Sequence, residues 1–121
     1  MKTILIVEDD AFLIDIYNSK FTQAGFDVKV AENGEAVFSE AKEKKPDLIL
    51  LDLVLPHIDG WGILKRIKED QDLNKIPVII FSNLSQKNDI EKSLAMGAVK
   101  HLIKSQYTPS ELVEEIKKIL N

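Results

Sequence analysis

Five short apolar runs alternate with five amphipathic segments along this chain, and no other feature of the sequence constrains its fold as strongly. Most of the apolar runs are rich in Leu, Ile and Val. They predict strands at Thr3–Val7, Asp27–Ala31, Leu48–Leu51, Val78–Phe81 and Val99–Ile103. Short, nearly continuous apolar runs are typical of parallel strands that are covered on both faces of a sheet.

The segments between these runs carry apolar residues at helical spacing. They predict helices at Ala11–Ala24, Glu35–Lys44, Gly60–Lys68 and Gln86–Met96, and a last helix that opens with Thr108-Pro109-Ser110-Glu111. That opening combines a capping box with proline at the first helical position. Asn33 is placed to cap the second helix, and Gly25 to end the first.

Strict alternation of strands and helices predicts an α/β fold with a parallel sheet and right-handed crossovers. Five strands in this pattern favour the flavodoxin-like, doubly wound (βα)5 arrangement with strand order 2-1-3-4-5. A chain of 121 residues has the length of one such domain, so we expect residues 1–121 to form a single unit.

Composition excludes several functional classes. The net charge is −4 and the sequence pI is about 5.2, which argues against direct binding to nucleic acid. The chain has no cysteine, and therefore no disulfide or thiolate chemistry. It shows neither a signal-peptide pattern nor an apolar run of the ~20 residues that span a bilayer. We expect a cytoplasmic protein without membrane contact.

Polar side chains follow predicted strands one, three, four and five, which are neighbours in the predicted strand order. These are Glu8-Asp9-Asp10, Asp52, Ser82-Asn83 and Lys104-Ser105. Ligands of open parallel sheets bind beyond the carboxyl ends of the strands, so these groups should converge at one edge. Each group alone has a simple structural explanation, such as an acidic cap for the first helix. Their joint occurrence is what indicates a site.

The chemistry of this set points to phosphoryl transfer. Converging carboxylates repel one another unless a cation relieves them, and oxygen ligands with retained waters favour Mg²⁺. Lys104 and the Ser82 hydroxyl are suited to phosphoryl oxygens. Asp52 can act as a nucleophile that forms an aspartyl phosphate.

Four stretches together resemble the receiver domain of two-component response regulators, in particular the chemotaxis-type single-domain regulators. They are "ILIVEDD", "PDLILLDLVLPHIDGW", "IPVIIFSN" and "GAVKHLIKS", and they extend over the whole chain. The resemblance implies that Asp52 is the phosphoacceptor. It further implies Mg²⁺, with Mn²⁺ as an alternative, held by Asp9 directly, by Glu8 through water, by Asp52 and by the main-chain carbonyl of Val54. Asp10 then lies outside the acidic pair and starts the first helix.

The same resemblance assigns the remaining roles. Lys104 would pair with a phosphoryl oxygen, Ser82 would be the switch hydroxyl, and His101 would stand at the second switch position. The phosphodonor would be a histidine kinase or a histidine phosphotransfer protein. A downstream protein would bind the face formed by helix 4, strand 5 and helix 5. The chain would be no enzyme beyond assisting its own phosphorylation and dephosphorylation.

Three departures from the family pattern carry expectations of their own. The family usually has Lys-Pro, often with a cis peptide, where this chain has Lys104-Ser105; we predict a trans bond and a rearranged loop. The family usually has Tyr or Phe at position 101, so His101 is either a surface histidine at the strand edge or a weakened, pH-sensitive switch. Val54 and Leu84 replace frequent polar groups near the site, which predicts slow loss of phosphate.

Two alternatives of other classes stand beside this interpretation. One is an interaction module with the receiver fold that is not phosphorylated in use. The other is a dehalogenase-type phosphatase, which needs a second aspartate two residues after the nucleophile. Leu53-Val54-Leu55 offers none, so the enzyme is the weaker alternative.

Overall fold

Five parallel strands form the central sheet of the computed structural model, which describes residues 1–121. The strands are β1 (Thr3–Val7), β2 (Asp27–Ala31), β3 (Leu48–Leu51), β4 (Val78–Ser82) and β5 (Lys100–Ile103), and their order is β2-β1-β3-β4-β5. Both the strand order and the predicted flavodoxin-like architecture are confirmed. The register aligns Val7 with Leu51 and Ser82 with Ile103, so these strand ends lie at the same edge.

Five helices connect the strands, and their ends follow the local sequence. They are α1 (Ala11–Gln23), α2 (Gly34–Lys44), α3 (Gly60–Glu69), α4 (Lys87–Ala95) and α5 (Pro109–Leu120). The Asp10 side chain caps α1, Asn33 caps α2, and Thr108 with Glu111 forms the predicted capping box of α5. No helix combines the length and apolar character that a bilayer crossing requires.

The main difference from the sequence prediction lies between β3 and α3. Residues Val54–Leu55 and Ile58–Asp59 pair as a short antiparallel hairpin outside the main sheet. Two-residue strands are too short to produce a detectable alternation, which is why the pattern did not reveal them. Smaller differences place Ser82 inside β4 and Val99 just before β5.

The sheet separates two apolar cores, because successive strand residues point to opposite faces. Leu5, Ile49 and Ile80 pack on the face covered by α2 and α3. Ile4, Leu50 and Phe81 belong to the other core, which includes Phe21 of α1 and Leu112, Val113 and Ile116 of α5. Both faces of the central strands are therefore covered, as their continuous apolar sequence predicts.

Helix α4 is attached differently from the other helices. Ser93 is its only buried residue, whereas α2 and α5 each bury three apolar side chains. Its neighbour Leu94 is 43% exposed. This helix therefore contributes little to either core.

Candidate functional site

The side chains predicted from the strand ends meet at the carboxyl edge of the sheet. Glu8 follows β1, Asp52 follows β3, Ser82 ends β4 and Lys104 follows β5. Glu8, Asp52 and Ser82 are buried, with 3%, 7% and 0% of their surface exposed. Buried polar groups of this kind need partners inside the protein.

Lys104 supplies the partner for both buried carboxylates. Its Nζ donates to Asp52 Oδ2 at 2.5 Å and to Glu8 Oε1 at 2.7 Å. Burial disfavours the charged form of Lys104, but the hydrogen bonds and charges of Asp52 and Glu8 outweigh this effect, and the pKa of Lys104 lies above its ordinary value. The lysine therefore stays an ammonium at neutral pH.

The other oxygen of Asp52 is held by the loop that follows it. Val54 N–H donates to Asp52 Oδ1 at 3.0 Å. The loop then returns over the strand end at Gly60, where an added Cβ would lie 2.5 Å from Leu53 Cα and 2.6 Å from Asp52 O. Only glycine leaves room for this close approach, so Gly60 helps to fix the backbone that carries Asp52.

The predicted metal ligands are oxygen groups of the right chemistry for a hard cation. Glu8 Oε2 accepts a hydrogen bond from Asp9 N–H at 3.1 Å, and the half-buried Asp9 is the second residue after β1. The carboxylates do not form a ready cluster of three ligands, since Glu8 and Asp52 both turn to Lys104. The donor set fits Mg²⁺ in type, and cation binding would require part of this ion pair to open.

A chain of hydrogen bonds leads from Ser82 to the predicted second switch residue. Leu84 N–H donates to Ser82 Oγ at 3.3 Å, and Leu84 O lies 2.8 Å from His101 Nε2. A carbonyl only accepts, so Nε2 is the donor in this contact. On the other side of the ring, Nδ1 lies 2.7 Å from Oγ of Ser93 in α4.

His101 lies in the edge strand β5, and both nitrogens of its ring have a hydrogen-bond partner. The side chain is half-buried and joins the loop after β4 to the buried Ser93 of α4. Ser93 and Leu84 lie 8 and 17 residues before His101, and no local sequence pattern predicts these contacts. The contacts of the Leu84 backbone, whose N–H and C=O meet the two predicted switch residues Ser82 and His101, were likewise not predicted.

The loop after β5 confirms one expectation. No peptide bond in the chain is cis, so the Lys104–Ser105 bond is trans as predicted. Residues Lys104–Gln106 form one turn of 3-10 helix. Asn83 Oδ1 accepts the Ser105 N–H at 3.1 Å, a contact that the sequence interpretation missed.

Tyr17 is a second residue that the sequence did not single out. In the structure it borders a cavity of about 10 Å³ together with Glu8, Asp52 and Lys104. Burial raises the pKa of Tyr17; the Lys104 charge opposes this effect, and the charges of Glu8 and Asp52 add to it. The hydroxyl therefore stays neutral beside the charged groups.

Comparison with known proteins agrees with this geometry. The model of the "Response regulator receiver domain" family matches residues 4–117. The phosphate regulon transcriptional regulatory protein PhoB of Pseudomonas aeruginosa is 34% identical over 119 residues, which are 98% of this chain and 52% of PhoB. The polar-differentiation response regulator DivK of Brucella anthropi is 30% identical over 98% of this chain and 96% of DivK.

A solved structure extends the comparison to three dimensions. The Mn²⁺-bound form of response regulator Rcp1 superposes with a TM-score of 0.80 at 26% identity, covering 98% of this chain and 91% of Rcp1. The chain spans about half the length of PhoB and of several other transcriptional regulators that it matches. The family match, the strand order and the site at the carboxyl edge lead to one conclusion: this chain belongs to the receiver domain family of two-component response regulators.

Proposed function

We propose that this receiver accepts a phosphoryl group on Asp52 and thereby switches protein–protein interactions. The donor is the phosphohistidine of a histidine kinase or of a histidine phosphotransfer protein. The observation that best supports this proposal is the pairing of the buried Asp52 carboxylate with Lys104 at the carboxyl edge of the sheet. A carboxylate next to a fixed ammonium is placed both to attack phosphorus and to have its product stabilised.

The chemical step follows from these contacts. A carboxylate oxygen of Asp52 forms a bond to phosphorus, the P–N bond of the phosphohistidine breaks, and the imidazole leaves with the electron pair. Lys104 can then exchange its contact with Asp52 Oδ2 for a phosphoryl oxygen. The Ser82 hydroxyl, now in contact with Leu84 N–H, can turn to another phosphoryl oxygen.

Glu8, Asp9, Asp52 and the Val54 carbonyl would hold a divalent cation at this edge. Three carboxylates against one ammonium leave a net negative charge that would repel an incoming phosphoryl group. Bound Mg²⁺ would supply the missing positive charge and neutralise phosphoryl oxygens during transfer. The Mn²⁺-bound form of response regulator Rcp1 supports the assignment of such a cation, and Mn²⁺ could replace Mg²⁺.

The signal would leave the site through His101. Movement of Ser82 releases Leu84 N–H, and the carbonyl of Leu84 is the partner of His101 Nε2. A change in this contact alters the position of α4 through Ser93. The downstream partner would bind the face formed by α4, β5 and α5, where Leu94 and Val99 are 43% and 46% exposed.

Intact-mass measurement tests the proposal. Purified protein is incubated with Mg²⁺ and acetyl phosphate, and we expect one phosphoryl increment that disappears in Asp52→Ala and after chelation of Mg²⁺. Asp47→Ala is the matched control, because Asp47 flanks the opposite end of the same strand and bonds Thr3 N–H away from the site. Absence of an increment with acetyl phosphate and with a phosphorylated kinase would contradict the proposal and favour an interaction module that is not phosphorylated.

A further inference from the structure

The two loops that carry Ser82 and Lys104 are tied together by one side chain. Asn83 follows Ser82 directly, Ser105 follows Lys104 directly, and Asn83 Oδ1 accepts the Ser105 N–H at 3.1 Å. The parallel pairing of β4 with β5 ends at Ser82 and Ile103. The Asn83–Ser105 bond thus continues the connection of the two strands beyond the end of their ladder.

Asn83 supplies a hydrogen-bond acceptor to the loop after β5. The 3-10 turn at Lys104–Gln106 has no capping side chain of its own, since the residue before it is Ile103. Backbone N–H groups at the start of a helical turn lack partners inside the turn. The Asn83 side-chain oxygen, which lies outside the turn, accepts the hydrogen bond of the Ser105 N–H.

The bond depends on the departure from Lys-Pro noted in the sequence. Proline has no N–H and could not donate to Asn83. A proline at position 105 would also disfavour a helical conformation at Lys104, which lies inside the 3-10 turn here. Ser105 and Asn83 therefore form a matched pair, in which one residue supplies the donor and the other the acceptor.

We propose that Asn83 is a positioning residue for Lys104: by holding the Ser105 N–H it fixes the segment that places the Lys104 ammonium beside Asp52. This inference rests on the proposed function, because it assigns Asn83 a part in phosphoryl transfer. Lys104 has a long, flexible side chain, so the position of its Nζ depends on where the backbone of the loop is held. Asn83 itself contacts neither carboxylate and need not touch the phosphoryl group.

The test compares Asn83→Ala with Asn33→Ala. Asn33 also accepts a backbone hydrogen bond, from Ala36 N–H at 2.9 Å, but it caps α2 and has no connection to Lys104. Two quantities are measured on the full chain: hydrogen exchange of the Ser105 amide by NMR, and the rate of phosphorylation by acetyl phosphate as a function of Mg²⁺ concentration. Asn83→Asp, which keeps an acceptor oxygen, is added for the exchange measurement.

We expect Asn83→Ala to speed exchange at Ser105 and to lower the maximal phosphorylation rate by about 10-fold, as loss of a supporting hydrogen bond does in other sites. The Mg²⁺ concentration at half-maximal rate should not change, because the proposed ligands are untouched. Asn33→Ala should alter neither quantity, and Asn83→Asp should keep Ser105 protected.

Three results would overturn the inference. Ser105 could exchange freely in the wild type, Asn83→Ala could react at the wild-type rate, or Asn33→Ala could lower the rate by the same factor. A wild-type protein that takes up no phosphoryl group at all would instead refute the proposed function. The two failures are therefore distinguishable in a single series of measurements.

Discussion

The Lys104 ammonium lies 2.5 Å from Asp52 Oδ2, and a second contact of 2.7 Å joins it to Glu8 Oε1. One cation thus compensates two carboxylates that are 8% and 4% exposed at their side chains. Removing one charged group from such a buried cluster lowers the stability of the fold by more than the ion pairs contribute to it. The reason is that the remaining buried charges are left without a partner of opposite sign.

Lys104→Met should therefore lower the free energy of unfolding by about 3 kcal/mol in the absence of divalent cations. Urea denaturation followed by circular dichroism measures this loss. Addition of Mg²⁺ should recover more stability in the variant than in the wild type, because a cation can take over the compensation of the carboxylates. A variant as stable as the wild type would show that the ion pair does not stabilise the fold.

Gly60→Ala should destabilise the fold by about 2 kcal/mol, the usual cost of forcing an atom into a closely packed position. The new Cβ would meet Leu53 Cα and Asp52 O, which are backbone atoms that cannot turn away. Gly34→Ala is the control, since no atom lies within 4 Å of its added Cβ. Thermal unfolding should show a much lower melting temperature for Gly60→Ala than for the wild type. The melting temperature of Gly34→Ala should not fall.

The contact between His101 and Ser93 predicts energetic coupling across β5 and α4. A double-mutant cycle of His101→Ala and Ser93→Ala, measured by urea denaturation, should give an interaction energy of about 1 kcal/mol. Ser39→Ala replaces Ser93→Ala in the control cycle, because Ser39 bonds only the Ala36 carbonyl of its own helix. Additive effects in the first cycle would argue against a hydrogen bond between His101 and Ser93.

Much of this fold follows from short-range sequence patterns, and the remainder depends on contacts that such patterns do not encode. The strands, the caps at Asn33 and Thr108, and the meeting of Asp52 with Lys104 were predictable because parallel topology places strand ends together. The contacts of the half-buried His101 were not predictable, since its partners are Ser93 and the main-chain carbonyl of Leu84. Local periodicity carries no information about such partners.

Glu115 predicts a pH dependence of stability. Hydrogen bonding from Lys118 lowers the pKa of Glu115, burial opposes this effect, and the charges of Lys100 and Lys118 reinforce it. A carboxyl group whose pKa is lower in the folded state stabilises the fold above its unfolded pKa near 4.5, and this contribution is lost as the pH falls through the folded value.

The stability difference between wild type and Glu115→Gln should therefore be present at neutral pH and shrink in acid. Denaturant unfolding of both proteins at a series of pH values from 7 to 3 measures this difference in the free energy of unfolding. A difference that grows as the pH falls would have the wrong sign and would contradict the assigned shift.

Loss of phosphate from the proposed aspartyl phosphate should be slow, with a half-life well beyond seconds. The Val54 side chain is 59% exposed beside the acceptor and has no polar group to orient an attacking water. Val54→Asn should shorten the lifetime several-fold, as followed by intact mass over time after removal of the donor. Val99→Asn, at an exposed position before β5, is the control and should leave the lifetime unchanged.

The single buried residue of α4 has a consequence for where the molecule opens. A helix whose only buried residue is Ser93 loses little apolar burial when it detaches, so its amides should exchange with solvent by local fluctuations. The amides of α5, which is anchored by Leu112, Val113 and Ile116, should exchange only when the whole domain unfolds. Displacement of α4, which the hydrogen bonds of His101 help to hold in place, should therefore cost less free energy than unfolding of the domain.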